Sequence, residues 1–187
     1  MTGHETEYAN GIPTRSTLAE RSALAVFAER VPAGGLIVEI GGLYGGTTGI
    51  LALANPKARI IVIDNFSWQP PENEKIPTAA ALVKEMTRIG VTNVDVIDGD
   101  SASIGAHWKE SIDLLFIDGQ HSYDVVKADL RNFAPHACIM ACHDYAKGYM
   151  KGVRLAVDRY RRRNPSWRVV TVVDSLVILR KVTHGGS

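Results

Sequence analysis

Residues 38 to 50 read VEIGGLYGGTTGI, an apolar run that breaks into glycines and restarts as a helical pattern. Glycines let a chain turn sharply and let a ligand approach the backbone. The helix that follows offers unpaired N–H groups and the positive end of its dipole. Thr47 and Thr48 can cap that helix and donate hydroxyls. A strand, a glycine loop and a helix in this order form the first unit of a nucleotide-binding α/β sheet.

The pattern repeats outward from this unit. Apolar runs at 36–40, 59–63, 94–97, 112–117 and 137–142 alternate with helical stretches near 47–54, 77–89, 102–109, 122–132 and 151–163. Continuous apolar runs fit strands buried on both faces. Their alternation with helices predicts a doubly wound parallel sheet. RVVTVV (168–173) and LVILR (176–180) then flank Asp174-Ser175, a tight hairpin that adds an antiparallel pair. Before the first strand, TLAERSALAVFAER (17–30) has apolar residues at helical spacing and is positioned to cover the sheet or pair with a second copy. The chain thus divides into a flexible arm over residues 1–15 and one domain over 16–187.

Composition excludes several classes. The 187 residues are 45% hydrophobic and carry a net charge of +1, so nothing global points to nucleic acid. No long apolar run suggests a membrane span, and MTGHETEYANGIPTRS lacks the basic-then-apolar pattern of a signal peptide, so a cytoplasmic location is the expectation. The basic run at Arg159 and Arg161–Arg163 reads as a solvated helix end. His136, Cys138, Cys142 and His143 lack C-x-x-C spacing and do not read as a zinc site.

The loop itself selects among cofactors. Gly41, Gly42, Gly45 and Gly46 depart from G-x-G-x-x-G, and no Gly-Lys-Ser/Thr follows for a phosphate loop. Glu39 ends the first strand, and its carboxylate would repel a pyrophosphate and attract an ammonium or sulfonium. That weighs against an NAD-dependent or nucleotide-sugar oxidoreductase. Asp64 ends the second strand, where an acid can accept from both ribose hydroxyls. Asp100 and Ser101, in VIDGDSAS, fall at the third strand end as candidates for an adenine edge.

Glu39-x-Gly41-x-x-x-Gly45-x-Thr47, Asp64, Gly99-Asp100-Ser101 and Asp118-Gly119-x-His121 together resemble class I S-adenosylmethionine-dependent methyltransferases. The closest resemblance is to the small bacterial group that includes the macrolide sugar O-methyltransferases and the cephalosporin-biosynthesis methyltransferase-like protein. It covers about residues 34 to 180. It implies a Rossmann-like seven-stranded sheet of order 3-2-1-4-5-7-6 and S-adenosylmethionine as cofactor. By the same resemblance Glu39, Gly41, Gly42, Gly45 and Thr47 hold the methionine part, Asp64 the ribose, and Asp100 and Ser101 flank the adenine.

In that sheet order the strands ending at Asp118 (DLLFIDGQHSYD, 113–124) and at His143-Asp144 (ACHDY, 141–145) are neighbours. Neighbouring strands lie about 4.8 Å apart. Asp118 and Asp144 are therefore expected to converge beside the cofactor. Two carboxylates so close repel unless a proton or a cation sits between them, and a divalent cation, magnesium or manganese, is the expected one. The resemblance implies that the acid of D-G-x-H binds the metal, that His121 is the general base, and that a later Glu-Asp pair completes the site. Here His143 replaces that glutamate, and a softer, neutral ligand either weakens magnesium, favours manganese or another transition metal, or removes the metal altogether. The cation set is thus Asp118, His143 and Asp144, with Asp118 also bordering the cofactor. An imidazole at 121 can take a proton from a hydroxyl near neutral pH.

The expected activity is O-methylation of a small hydroxylated molecule, a sugar or natural product, without nucleic-acid or membrane partners. The alternatives are an oxidoreductase and a non-catalytic cofactor-binding protein of the same fold. Acceptor choice is expected to lie in the proline-rich loop FSWQPPENEKIP (66–77), where Trp68 can act as a cover, in the loop carrying Tyr145, Lys147 and Tyr149, and in the N-terminal arm.

Overall fold

The computed structural model describes residues 7–72, 74–148 and 151–182. Its centre is a seven-stranded mixed sheet. The strands are β3 (Leu36–Ile40), β4 (Arg59–Asp64), β5 (Val94–Asp98), β6 (Ile112–Ile117), β7 (Ala137–Cys142), β8 (Trp167–Val173) and β9 (Leu176–Lys181). They lie in the order β5-β4-β3-β6-β7-β9-β8. Counted along the sheet strands alone, this is the expected 3-2-1-4-5-7-6. The first five are parallel, and β9 runs antiparallel to both β7 and β8.

Alternation along each strand sorts the core into two layers. Leu114 and Phe116 point to one face of the sheet and Leu115 and Ile117 to the other, and all are nearly free of solvent. The first face is covered by α1 (Leu18–Ala28), α2 (Gly46–Ala54) and α3 (Ala79–Arg88) through Leu24, Phe27, Leu51, Leu82 and Met86. The second is covered by α5 (Tyr123–Phe133) and α6 (Lys151–Arg163) through Val126, Leu130, Phe133, Val153 and Val157, while the short α4 (Ser101–Gly105) packs on α5. Both faces being covered is why these strands read as unbroken apolar runs.

Residues 7–14 differ from the expected flexible arm. Glu7–Ala9 (β1) and Ile12–Thr14 (β2) form an antiparallel hairpin around Asn10-Gly11, both at positive φ. Asn-Gly is a favoured two-residue hairpin turn for this reason. Ile12 is 1% exposed within the α1/α2 layer, and that burial anchors the hairpin. No described helix is long and apolar enough to cross a membrane.

The chain leaves β3 in one direction toward β4 and β5 and in the other toward β6 and β7. The carboxyl ends of β3 and β6 therefore flank a switch point, where such sheets bind ligands. Gly41, at φ 95, passes there so close to the Asp118 carbonyl that a Cβ would clash. The helix that roofs this side depends on Leu24, which is fully buried. Leu24→Ala is expected to lower stability by about 2–5 kcal/mol, read as a lower denaturant midpoint at unchanged m-value. An unchanged midpoint would show that α1 does not cover the sheet in solution.

Candidate active site

Strand register brings the site together. Ile117 is level with Cys142, and the His143 N–H continues the ladder by donating to the Ile117 carbonyl at 3.0 Å. Asp118 N–H likewise donates to the Ile40 carbonyl at 2.8 Å. Gly41, Asp118 and His143 thus follow directly on three adjacent strands. A cleft of about 720 Å³ opens above them.

Glu39 forms part of the cleft floor. It is 1% exposed, and Thr48 Oγ1 donates to its Oε2 at 2.6 Å. Its Oε1 has no partner. Burial, with the Asp118 and Asp64 charges adding to it, pushes its pKa up to about 8 despite the Thr48 bond. A buried acid with an open oxygen suits a cationic group entering the cleft.

Gly42, Thr47, Asp64, Asp100 and Ser101 also line the cleft. Most already serve the fold. Asp64 accepts from the backbone N–H of Leu43 and Phe66 at 2.8 and 2.7 Å, tying the glycine loop to the loop after β4. Asp100 caps α4 by accepting from Ser103 N at 2.8 Å. Ser101 Oγ donates to Asp129 at 2.7 Å. The Thr47 hydroxyl lies 3.3 Å from that of Thr14. Gly45 does not line the cleft. It is the N-cap of α2 at φ 89, and a Cβ there would press on Leu82 and Met86.

The second cluster surrounds His143. Its Nε2 donates to Glu20 Oε2 at 3.0 Å, and the charge partners on its other side are Asp118 and Asp144. Nδ1 lies 2.9 Å from Asp118 Oδ1 and 3.3 Å from Asp144 Oδ1, yet makes no in-line hydrogen bond to either. Burial alone would depress the His143 pKa, but Asp118, Glu20 and Asp144 outweigh it and raise it to about 11. Glu20 shows the reverse balance. Burial raises it, while His143, Ser175 and Thr17 bring it down to about 2. Without a metal, the imidazolium is the cation between the acids.

Asp144 reaches this cluster through a left-handed backbone, at φ 58. Its Oδ2 lies 2.9 Å from His121 Nε2, again without in-line geometry, and Lys147 Nζ closes on its Oδ1. His121 stands at the cleft wall with its side chain 36% exposed. Gly152 at the start of α6 packs so tightly on the His121 carbonyl that a Cβ would displace that turn. Asp118, His143 and Asp144 each offer a ligand atom, all within 4.8 Å of one another. Cys138 and Cys142 sit four residues apart on β7, about 13 Å along a strand, and take no part.

The sequence reading missed two contributors, Glu20 within the amphipathic helix over 17–30 and Arg15 within the supposed arm, whereas Thr48, expected to donate its hydroxyl, does so to Glu39. Arg15 forms a two-pronged pair with Glu74 at 2.9 and 3.1 Å, and its guanidinium lies 5.1 Å from the Trp68 ring centre. Tyr44 Oη donates to Lys75 O at 2.8 Å. Arg15 and Trp68 line the cleft mouth. Tyr145 instead turns away to donate to Asp158 on α6 at 2.9 Å. Tyr149 lies outside the described residues.

Strand order, glycine loop and acidic strand ends together define a class I methyltransferase architecture. The family model described as a methyltransferase domain matches residues 38–145, and the chain belongs to this family. Solved structures share the fold. The O-methyltransferase NovP aligns at 17% identity over 91% of this chain and 82% of its own, with a TM-score of 0.75. An rRNA methylase from Streptococcus thermophilus aligns at 12% over 91% of this chain and all of its own, with a TM-score of 0.64. A SAM-dependent O-methyltransferase from Thermotoga maritima aligns at 12% over 92% and 68%, with a TM-score of 0.63. No curated protein sequence gives a significant match.

Asp129, fully buried beneath Ser101, offers a check on this side of the cleft. Burial lifts its pKa from the ordinary 3.8 to about 6. A raised folded-state pKa adds stability that is complete below pH 3.8 and fades as pH climbs to about 6. Asp129→Asn is expected to abolish this slope, so that the variant gains on the native protein across that window and holds a constant difference above it. Parallel pH–stability curves would contradict the buried, proton-holding acid.

Proposed function

We propose that the protein is an S-adenosylmethionine-dependent O-methyltransferase for a small hydroxylated acceptor, a sugar or natural product, with His121 as general base and a divalent cation at Asp118, His143 and Asp144. The observation that carries this reading is the pairing in one cleft of the open Glu39 oxygen with His121 backed by Asp144.

The residues fit the cofactor. Glu39 Oε1 is an acceptor for the ammonium of its methionine part, with the glycine loop and Thr47 beside it. Asp64 keeps acceptor capacity for ribose hydroxyls beyond its two backbone bonds. Asp100 and Ser101 border the space for the adenine. When bound, the cofactor supplies a methyl group on a sulfonium that any aligned nucleophile can attack. The chain's part is to align an acceptor hydroxyl and take its proton. His121 reaches the cleft and accepts that proton, while Asp144 stabilises the resulting imidazolium. A cation on the neighbouring acids would lower the hydroxyl's pKa. Trp68 and Arg15 at the mouth restrict water access.

Two measurements test this reading. Calorimetric titration with S-adenosylhomocysteine, with NAD as control, should show binding of the former only; tight NAD binding would reverse the cofactor assignment. Affinity should rise with pH toward 8, because the ligand's ammonium favours ionised Glu39 and binding expels the Glu39 proton. Glu39→Gln should weaken binding and flatten that dependence. His121→Ala should then lower kcat by roughly 10²–10⁴-fold while cofactor affinity holds. Equal loss of both would sink the base assignment.

A further inference from the structure

The two nitrogens of His143 are treated differently by the fold. Glu20 Oε2 receives the Thr17 N–H at 2.8 Å and His143 Nε2 at 3.0 Å. Glu20 Oε1 receives both the Ser175 N–H at 2.9 Å and the Ser175 hydroxyl at 2.6 Å. A carboxylate meeting four donors is acceptor-only, so Nε2 must carry a hydrogen. An ordinary capping-box glutamate reaches back to its own N-cap and otherwise faces water. Glu20 is 1% exposed and spans from α1 to the end of β7 and the β8–β9 turn.

Nδ1 is left without an in-line partner, although it faces two carboxylates. Without a metal the Nδ1 hydrogen pairs with these carboxylates at 2.9 and 3.3 Å, and a metal bound there would take its place and release that proton. Asp144 Oδ1 is likewise buried without an aligned hydrogen bond, and the Lys147 ammonium stands against it as its counter-charge. Metal-binding histidines have this arrangement, in which a carboxylate holds the far N–H and the near nitrogen offers its lone pair.

We propose that Glu20 is the positioning residue that makes His143 Nδ1 a metal ligand, and that the site selects a nitrogen-accepting ion of the Fe²⁺-to-Zn²⁺ range over Mg²⁺. The proposal rests on the reading that Asp118, His143 and Asp144 hold a cation. Mg²⁺ prefers a near-octahedral shell of oxygens and gives up water reluctantly. One imidazole among two carboxylates suits the later ions better. Glu20 touches no ligand and acts through His143.

Co²⁺ is the probe, because its visible spectrum reports coordination directly. The native protein should take up one Co²⁺ with a structured d–d band. Zn²⁺ should displace it, and a large excess of Mg²⁺ should not. Asp118→Asn should abolish uptake. Glu20→Gln should weaken Co²⁺ binding roughly 10–100-fold and alter the band, because the amide loses the four-donor arrangement. No Co²⁺ or Zn²⁺ uptake by the native protein would remove the cation reading itself. Uptake that Glu20→Gln leaves unchanged in affinity and spectrum would overturn the role of Glu20 alone. Displacement by Mg²⁺ at concentrations like those of Zn²⁺ would overturn the selectivity.

Should Glu20→Gln fail to fold, proton NMR of the native Co²⁺ protein decides. Ligation through Nδ1 leaves the Nε2 hydrogen as one exchangeable, metal-shifted resonance. Its absence in a protein that has taken up Co²⁺ would overturn the proposal.

Discussion

The site depends on one buried contact, between Glu20 and His143. The two residues are far apart in sequence and both are about 1% exposed. Breaking such a pair by removing one partner leaves an uncompensated buried charge, a loss of roughly 3–5 kcal/mol. The contact does more than stabilise. The same carboxylate closes the first turn of α1, grips the β8–β9 turn at Ser175 and fixes the ring of His143. His143 in turn lies against Asp118 and Asp144, and Asp144 against His121. The helix that precedes the sheet and the hairpin that ends it are thereby joined to the chemistry at its centre.

The sheet was legible in the sequence because parallel strands buried on both faces leave short unbroken apolar runs, and here these alternate with helical stretches. LIVEI and IDLLFI stop where the backbone leaves the ladder, so strand ends, and the acids at them, could be placed to within a residue. The Asp174-Ser175 turn marked the antiparallel pair for the same local reason. The first hairpin was missed although Asn10-Gly11 is a turn signal. Its strands are three residues each and bury only a few side chains, so periodicity had too little length to register.

Which strand-end residues meet at the cleft was legible in the sequence, and their geometry less so. The reading expected Asp118 and Asp144 to converge, and they do; register sets His143 directly beside Asp118, and Asp144 joins them by a left-handed turn that the sequence did not mark. Glu20 could not be found by spacing, because its partners lie on strands that approach only after the sheet has formed. The strand ends also carry residues with two duties. Asp64 and Asp100 hold loops and caps that would exist without any ligand, and this is why acids at strand ends are weak evidence singly and stronger in order.

The acids of the cleft differ in what keeps them there. Asp64 is held by backbone N–H groups and Asp144 by His121, His143 and Lys147, so each negative charge has an internal donor or counter-charge. Glu39 has only a threonine hydroxyl, and burial keeps it mostly protonated at neutral pH. A carboxyl group in that condition costs the fold something and returns nothing to it. Replacing Glu39 and Thr48 with apolar residues of similar volume would serve packing alone at least as well. Its place at the switch point beneath a glycine loop is therefore better explained by a ligand than by the core. What the floor of the cleft asks for is a positive charge within reach of Oε1, and the ammonium of the proposed cofactor would supply it.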